Sequence, residues 1–169
     1  YLPEAMVNFM ALLGWNPGTD QEIFSMDELI AHFDLTKVQK SGAVFNSEKL
    51  DWLNGEYIRR LKPAALIELL RPHLEEAGLI GADYDADLLL KIVKLEQTRL
   101  KKLSEIGERV GYFFRKPEYD AALLAWKNMG ETEIASSLQQ SLALLESVPP
   151  SGFAARCLET EFMKAAGAG

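Results

Sequence analysis

Apolar residues recur with the spacing of an α-helix along most of the chain, and the pattern is clearest between Phe45 and Leu61. Asn46 or Ser47 can cap the start of this stretch, because a short polar side chain accepts a hydrogen bond from a free amide of the first turn. Pro63 follows as a break. The stretch therefore predicts one amphipathic helix. Its apolar stripe consists of Leu50, Leu53, Tyr57 and Leu61, flanked by Trp52 and Ile58.

Two further helices are predicted in the first part of the chain. The first spans Leu2 to Leu13, and Pro3 suits its first turn, where a missing amide costs nothing. Its buried face is expected to consist of Met6, Phe9, Met10 and Leu13. The residues from Ser25 to Glu28 have the pattern of a capping box and open a second helix, which reaches about Phe33. An irregular stretch, Asp34 to Val44, follows.

The middle of the chain predicts two longer helices. One spans Pro63 to Ala77, and Pro72 inside it is expected to kink or restart the helix. Its apolar face consists of Leu66, Leu69, Leu70 and Leu74. The other is expected to begin after a capping Asp83 or Asp85 and to continue to Leu103, with a basic later half.

Three more helical patterns occupy 120–129, 132–147 and 151–166, and Thr132 and Ser151 are reasonable N-caps. The last helix is expected to bury Phe153, Leu158, Phe162 and Met163, with Cys157 near that side as a small apolar filler. No segment shows a strand pattern. The sequence therefore predicts an all-α fold, a helical bundle.

Composition narrows the class of protein. The chain has 169 residues, of which 48% are hydrophobic, and this suits one or two compact units with a core. A single Cys excludes a disulfide framework and favours a reducing compartment, so we expect a cytoplasmic protein. No apolar run approaches the roughly 20 residues of a membrane helix, and no membrane partner is expected.

The net charge of −7 argues at first against nucleic acid, but the charge is unevenly distributed. Residues 35–62 carry a net charge of +3 and residues 91–116 carry +5. The blocks around them, 1–34, 63–90 and 117–169, carry −6, −5 and −4. Phosphate binding depends on the local field, which salt screens over about 10 Å. The two basic blocks are therefore candidate RNA-binding surfaces, although solvated helix ends have the same composition.

Catalytic signatures are missing from the sequence. It has no glycine-rich phosphate loop, no Cys/His metal spacing and no Ser/His/Asp set, and its two histidines, His32 and His73, are isolated. No cofactor is expected to bind this chain, and an independent enzyme is the interpretation with the least support.

Two blocks carry a resemblance to a known family. The decapeptide Leu-Asp-Trp-Leu-Asn-Gly-Glu-Tyr-Ile-Arg (Leu50 to Arg59) and the segment from Tyr1 to Trp15 resemble, in order and spacing, signatures of bacterial-type glutamyl-tRNA synthetases. The resemblance implies a fold of three parts. Residues 1–62 would end the catalytic and stem-contact region, 63–120 would form a first helical anticodon-binding subdomain, and 121–169 would begin a second, incomplete one.

The resemblance also implies an activity for a longer enzyme, which would attach glutamate to tRNA-Glu with ATP and Mg²⁺. Neither nucleotide-binding signature of a class I synthetase, the His-Ile-Gly-His type or the Lys-Met-Ser-Lys-Ser type, is in this chain. The chain would therefore be a C-terminal part without the catalytic domain or the last segment. It would be inactive alone and would contribute tRNA binding, as a monomer. The partner would be tRNA-Glu, with tRNA-Gln left open as a second one.

Arg99 is the residue that the resemblance singles out. Aligned through the Tyr112–Phe114 cluster, it falls where the family carries an arginine that faces the anticodon. The alternative is a helix-surface arginine paired with Glu96 or Glu105. The aromatic cluster itself could stack RNA bases, but a core position is the more common use of such residues. The other candidate tRNA-binding residues are Lys37, Lys40, Arg59, Arg60, Lys91, Lys94, Lys101 and Lys102.

A helical protein–protein interaction module is the competing hypothesis, because long apolar faces with acidic surroundings serve that role equally well. Salt dependence distinguishes the two, since phosphate contacts release counterions and weaken steeply with salt, whereas an apolar interface does not.

Overall fold

The computed structural model describes residues 1–39 and 42–167, and in that part the chain is all-α, which confirms the predicted fold class. It divides into two compact units, Tyr1–Pro117 and Glu118–Gly169. The functional subdivision at residues 62 and 120 stays a prediction. The α-helices are Pro3–Gly14 (α1), Met26–His32 (α2), Ser47–Arg60 (α3), Pro63–Glu76 (α4), Ala86–Glu96 (α5), Ile106–Phe114 (α6), Glu131–Ser147 (α7) and Ala155–Gly167 (α8).

Helix α3 forms where the sequence predicts it. The Asn46 side chain accepts a hydrogen bond from the Lys49 amide at 3.0 Å and so caps the first turn. Leu50 and Leu53 are buried, as expected. Ile58 is fully buried as well, although the pattern placed it on the flank of the stripe. It belongs to the same core cluster as buried residues of α4, α5 and α6.

Polar side chains as well as apolar contacts connect the region of the first two helices to α3. The Ser25 hydroxyl accepts from the Glu28 amide at 3.2 Å, and the Glu28 carboxylate accepts from the Ser25 amide, which confirms the capping box of α2. Buried Asn8 of α1 accepts from the Phe24 amide at 2.8 Å and lies 2.7 Å from the Tyr57 hydroxyl. Burial raises the pKa of Tyr57, so this hydroxyl stays a donor.

The predicted burial of α1 is partly wrong. Phe9 is buried against Leu50 and Leu53, but Met10 is 62% exposed. Asn8 occupies the buried position beside Phe9 because its amide satisfies backbone groups of the segment before α2.

Helix α4 runs without a break through Pro72, so the predicted restart is wrong. Proline has no backbone N–H, so Pro72 cannot donate a hydrogen bond to the Glu68 carbonyl. Both residues are exposed, and solvent can hydrogen-bond to that carbonyl instead. Leu69 is 41% exposed and does not belong to the buried face. The chain leaves the helix after Glu76 through Gly78, where φ is +62°, and the Leu79 amide donates to the Leu74 carbonyl at 2.9 Å.

Helix α5 ends at Glu96, seven residues before the predicted end at Leu103. A 3₁₀ turn, Gln97–Arg99, follows at once, and a second, Leu103–Glu105, leads into α6. Leu100 between the turns is extended and fully buried. The chain leaves the helix because this detour brings Leu100 and Leu103 into the core of the first unit. The buried members of that core are Leu2, Ala5, Ile58, Leu66, Leu70, Leu74, Leu89, Ile92, Val93, Leu100, Leu103, Ile106 and Val110.

The second unit departs further from the predicted pattern. Only a 3₁₀ turn, Ala121–Leu124, forms in the predicted helix 120–129. Helix α7 is capped by Gly130 and α8 begins at Ala155, so Thr132 and Ser151 are not their N-caps. The expected buried side of the last helix is wrong at Phe153 and Met163, which are exposed, and only partly formed at Leu158 and Phe162. Cys157 is a free, exposed thiol.

Candidate nucleic-acid interface

The segment that follows α5, residues 97–102, is called here the basic segment, and the end of α3 holds it in place. The Gln97 side chain donates to the carbonyls of Ile58 at 2.9 Å and Leu61 at 2.8 Å. Helix ends leave such carbonyls without partners, so Gln97 caps α3 while it fixes its own segment. Arg59 adds a hydrogen bond from its guanidinium to the Thr98 carbonyl at 3.3 Å.

Two residues in the middle of α3 allow the basic segment to approach closely. Asn54 is fully buried, accepts from the Leu2 amide at 2.8 Å and donates to the Lys101 carbonyl. A Cβ at Gly55 would lie 3.1 Å from the Leu100 carbonyl oxygen. Asn and Gly are both poor helix formers, so their presence inside α3 is explained by this contact and not by propensity.

Asp51 links the start of the chain to the end of the basic segment. The Tyr1 hydroxyl donates to one of its oxygens, and the Lys102 ammonium lies 3.3 Å from the other. The Tyr1 hydrogen bond is the largest cause of the lowered pKa of Asp51; burial opposes it, and the Lys102 contact adds to the lowering. The same contact with Asp51 raises the pKa of Lys102. Lys102 is therefore a charged residue that pairs with Asp51 within the first unit.

The predicted tRNA-binding cations fall into two groups. Arg59, Arg99 and Lys102 pair with carboxylates, and Arg99 pairs with Glu96 at 3.1 Å, which was one of the two partners considered for it. Arg99 nevertheless remains 64% exposed. Lys40 lies outside the described residues. The others are exposed and have no ion-pair partner in 1–39 and 42–167, namely Lys37, Arg60, Lys91, Lys94 and Lys101.

The structure brings most of these residues to one region of the first unit. Arg59 contacts the basic segment, which itself carries Arg99 and Lys101, and Lys91 and Lys94 lie one turn apart on the helix that leads into it. Lys37 is placed elsewhere, in a 3₁₀ turn whose following residues bond to Gly14 and Trp15 at the end of α1.

Arg109 is a candidate that the sequence did not reveal. It lies in the basic block 91–116 but is not among the candidate tRNA-binding residues of the sequence analysis. The turn Leu103–Glu105 directs α6 back along α5, so the Arg109 guanidinium lies 3.8 Å from Glu96 and 3.7 Å from Glu105. Arg99 and Arg109 thus share the Glu96 carboxylate. The sequence signal that could have pointed to Arg109 was a short helix next to the basic segment.

The aromatic cluster is only partly core. Phe114 packs against the core of the first unit, as that interpretation predicted. Tyr112 is 54% exposed and Phe113 is 36% exposed, and their ring centroids are 4.3 Å apart. The core interpretation is therefore wrong for these two rings.

An apolar groove between α1 and α2 is a second surface of the first unit. Met10, Ile30 and Phe33 are exposed there, and Ile30 is 75% exposed. The groove has no charged lining residue. It is the part of the described surface that best suits contact with another protein.

No group of three or more His, Cys, Asp or Glu side chains is arranged to hold a metal ion in residues 1–39 and 42–167. None of the helices described is both long and apolar enough to cross a membrane.

Comparison with known families agrees with this geometry. A family described as an anticodon binding domain matches residues 65–168, more than half of the chain. The chain belongs to this family. A second family, the catalytic domain of class I tRNA synthetases of the E and Q type, matches residues 1–52. The anticodon-binding match thus contains the basic segment, and the catalytic-domain match contains α1, α2 and the start of α3.

Relatives of this member of the anticodon-binding domain family are glutamate–tRNA ligases. Those of Clostridium tetani and Porphyromonas gingivalis are 43% and 44% identical over 150 and 148 residues. These alignments cover 88% and 87% of this chain but only 30% and 28% of the relatives. The chain thus spans about a third or less of the length of the ligases that it resembles.

Solved structures give the same result. The glutamate tRNA ligase of Elizabethkingia meningosepticum, solved with its amino acid, matches 99% of this chain with a TM-score of 0.80 and 33% identity. The glutamate–tRNA synthetase of Elizabethkingia anophelis matches 100% with a TM-score of 0.76 and 31% identity. This chain covers 32% of each.

Proposed function

We propose that this chain is the tRNA-binding portion of a glutamate–tRNA ligase and that it holds and orients tRNA without supplying a catalytic group. The observation that carries the proposal is that the anticodon-binding match, residues 65–168, includes the basic segment that α3 holds in place. The whole ligase would be a cytoplasmic monomer that uses ATP and Mg²⁺ to attach glutamate to tRNA-Glu. Binding energy far from the reacting atoms positions the acceptor end and improves specificity.

The exposed lysines and Arg99 would bind different parts of the tRNA. Lysines such as Lys91, Lys94 and Lys101 would contact phosphates, because an ammonium group is a compact point charge on a flexible stem. Arg99 would face the anticodon, because a planar guanidinium can make two parallel hydrogen bonds to one base edge. The lysines would then supply affinity that depends on salt, and Arg99 would supply selectivity.

A low-salt titration tests this proposal. The unsubstituted chain, Arg99→Ala and Arg71→Ala are each titrated with a tRNA-Glu transcript and with the same transcript carrying an altered anticodon. Arg71 is the control, because it is a partly exposed arginine that also pairs with a carboxylate, Glu68 at 3.4 Å, but lies in the acidic block 63–90. A tRNA-Gln transcript in parallel tests whether the chain distinguishes the two tRNAs.

We expect Arg99→Ala to lose about tenfold in affinity for tRNA-Glu, as the loss of one base contact does. Arg71→Ala should bind like the unsubstituted chain, and the altered anticodon should reproduce the Arg99→Ala loss. Equal binding in every case would leave only nonspecific electrostatics and would overturn the anticodon assignment. The absence of binding at low salt would overturn the tRNA-binding proposal.

A protein-interaction module remains a second candidate because of the apolar groove between α1 and α2. Its binding to a partner would persist at high salt, whereas the affinity for tRNA should fall steeply between about 50 and 200 mM salt. The same titration repeated across that range separates the two functions.

A further inference from the structure

Glu96 is the only acidic or basic side chain that is buried in residues 1–39 and 42–167, and it is 3% exposed. A buried carboxylate without partners is costly, because it loses its hydration. Glu96 has two arginine partners, and they come from different elements. Arg99 follows α5 in the basic segment, and Arg109 lies on α6.

Each oxygen of Glu96 receives one arginine. Oε1 accepts a hydrogen bond from Nη1 of Arg99 at 3.1 Å, and Oε2 lies 3.8 Å from Nη1 of Arg109. The Arg99 side chain is 64% exposed and that of Arg109 is 37% exposed. A guanidinium has five N–H donors in a fixed plane, so each arginine keeps donors available after it has contacted Glu96.

We propose that Glu96 is a positioning residue that sets Arg99 and Arg109 side by side as one two-arginine surface for RNA. This inference rests on the proposed tRNA-binding function and extends it in two ways. It assigns an RNA contact to Arg109, and it gives the buried carboxylate a role beyond neutralising charge. A fixed pair of guanidinium groups can contact two neighbouring acceptors, such as a base edge and its phosphate, with little loss of side-chain entropy.

The substitution Glu96→Gln separates positioning from simple charge. An amide has one oxygen acceptor, and its nitrogen donates, so it can keep only one of the two arginines. Positioning therefore predicts weaker binding to the cognate anticodon. The same substitution removes a negative charge, so simple electrostatics predicts tighter binding to any RNA. The two effects have opposite signs.

The experiment compares the unsubstituted chain with Glu96→Gln, Arg99→Ala, Arg109→Lys and the double variant Glu96→Gln/Arg99→Ala. Each is titrated with the tRNA-Glu transcript and with the transcript of altered anticodon, and thermal unfolding is recorded beside it. Glu76→Gln is the charge-matched control, since Glu76 is exposed on α4. Arg109→Lys keeps the positive charge and leaves Glu96 in place, so it tests the pair even if Glu96→Gln unfolds the chain.

We expect Glu96→Gln to reduce the ratio of the two affinities by about tenfold, while Glu76→Gln leaves it unchanged. Arg109→Lys should reduce the same ratio by about threefold to tenfold. The effect of Glu96→Gln is measured as the change in the logarithm of the ratio of the two affinities. In the Arg99→Ala background this change should be less than half of its value in the single variant, because Glu96 acts through Arg99.

Three results would overturn the inference. An unchanged ratio for both Glu96→Gln and Arg109→Lys, with Arg99→Ala still weakened, would remove the role of Glu96 and leave the proposed function intact. An undiminished effect of Glu96→Gln in the Arg99→Ala background would make Glu96 a purely structural residue. An unsubstituted chain that does not bind tRNA, or does not distinguish the anticodons, would overturn the inference together with the function on which it rests.

Discussion

The two compact units bury their amphipathic helices to very different extents. In the first unit, residues such as Leu53, Leu70 and Ile106 are fully buried in cores that several helices share. In the second unit, Val148 is the only buried hydrophobic residue of the part described, 118–167. Leu138 and Leu142 are 50% and 56% exposed, although α7 is the longest helix described. A strong helical pattern therefore does not by itself predict a core.

The difference follows from the number of elements that meet. In the first unit the apolar faces of α3, α4, α5 and α6 converge, so each covers the others. In the second unit α7 contacts α8, and two helices cannot enclose a side chain on all sides. Packing with tertiary neighbours, more than propensity, gives a helix most of its stability.

The largest expected effect is on the buried leucines. Leu70→Ala should lower the free energy of unfolding of the first unit by about 3 kcal/mol, because the substitution removes buried methylene groups and leaves a cavity. Leu142→Ala, the same change on the exposed side of α7, should alter the stability of the second unit by less than about 0.5 kcal/mol. Urea unfolding, followed by circular dichroism, measures both.

Tryptophan fluorescence can isolate the first unit in this experiment. Trp15 and Trp52 belong to the first unit, and Trp126, which is 70% exposed, belongs to the second. In a Trp126→Phe background the fluorescence reports the first unit alone. Equal losses for Leu70→Ala and Leu142→Ala would show that the second unit has a core and would break the comparison.

A smaller effect is expected for buried polar contacts. Asn54→Ala should lower the free energy of unfolding of the first unit by about 2 kcal/mol, because it leaves the Leu2 amide and the Lys101 carbonyl without their partner. Gln140→Ala in α7 removes an exposed hydrogen bond to Ser136 and should cost almost nothing. The same urea titrations measure both variants, and a loss for Asn54→Ala below that for Gln140→Ala would contradict the structure.

The sequence predicted the local features of the fold better than its long-range ones. The cap at Asn46, the capping box at Ser25 and the extent of α3 depend on residues within one or two turns, and all three are confirmed. The end of α5 depends on Gln97, which bonds to carbonyls at the end of α3 that are 36 and 39 residues away. No local pattern contains that information.

The same limit applies to the candidate interface. Charge counting identified the basic blocks, and the resemblance identified Arg99, whose role stays a prediction. The sequence could not predict that Arg99 and Arg109 both pair with Glu96, because this depends on how the turn Leu103–Glu105 directs α6. The burial of Glu96 was out of reach for the same reason, since its two partners, Arg99 and Arg109, lie on two different elements.

The smallest expected effect concerns Asp51 and acid. The Tyr1 hydroxyl and the Lys102 ammonium hold the pKa of Asp51 below its ordinary value of 3.8. As the pH falls, the unfolded chain therefore takes up the proton before the folded chain does. The stability that Asp51 contributes is complete above the ordinary value and is lost as the pH falls through the lower folded-state pKa. Asp51→Asn should flatten the decline in stability of the first unit between about pH 5 and pH 2.

The ion pair of α8 provides the contrast for this last prediction. Lys164 has a raised pKa because Glu161 accepts its hydrogen bond at 2.7 Å, so the contribution of Lys164 to stability is lost as the pH rises through its folded-state pKa, far from the acid range. Glu161→Gln changes a residue of the second unit and should leave the acid limb of the unfolding curve of the first unit unchanged, whereas Asp51→Asn changes it. Urea midpoints of the first unit, measured by tryptophan fluorescence at a series of acid pH values, test this. Identical acid limbs for the unsubstituted chain and Asp51→Asn would mean that the contact between Tyr1, Asp51 and Lys102 does not hold the start of the chain against the basic segment.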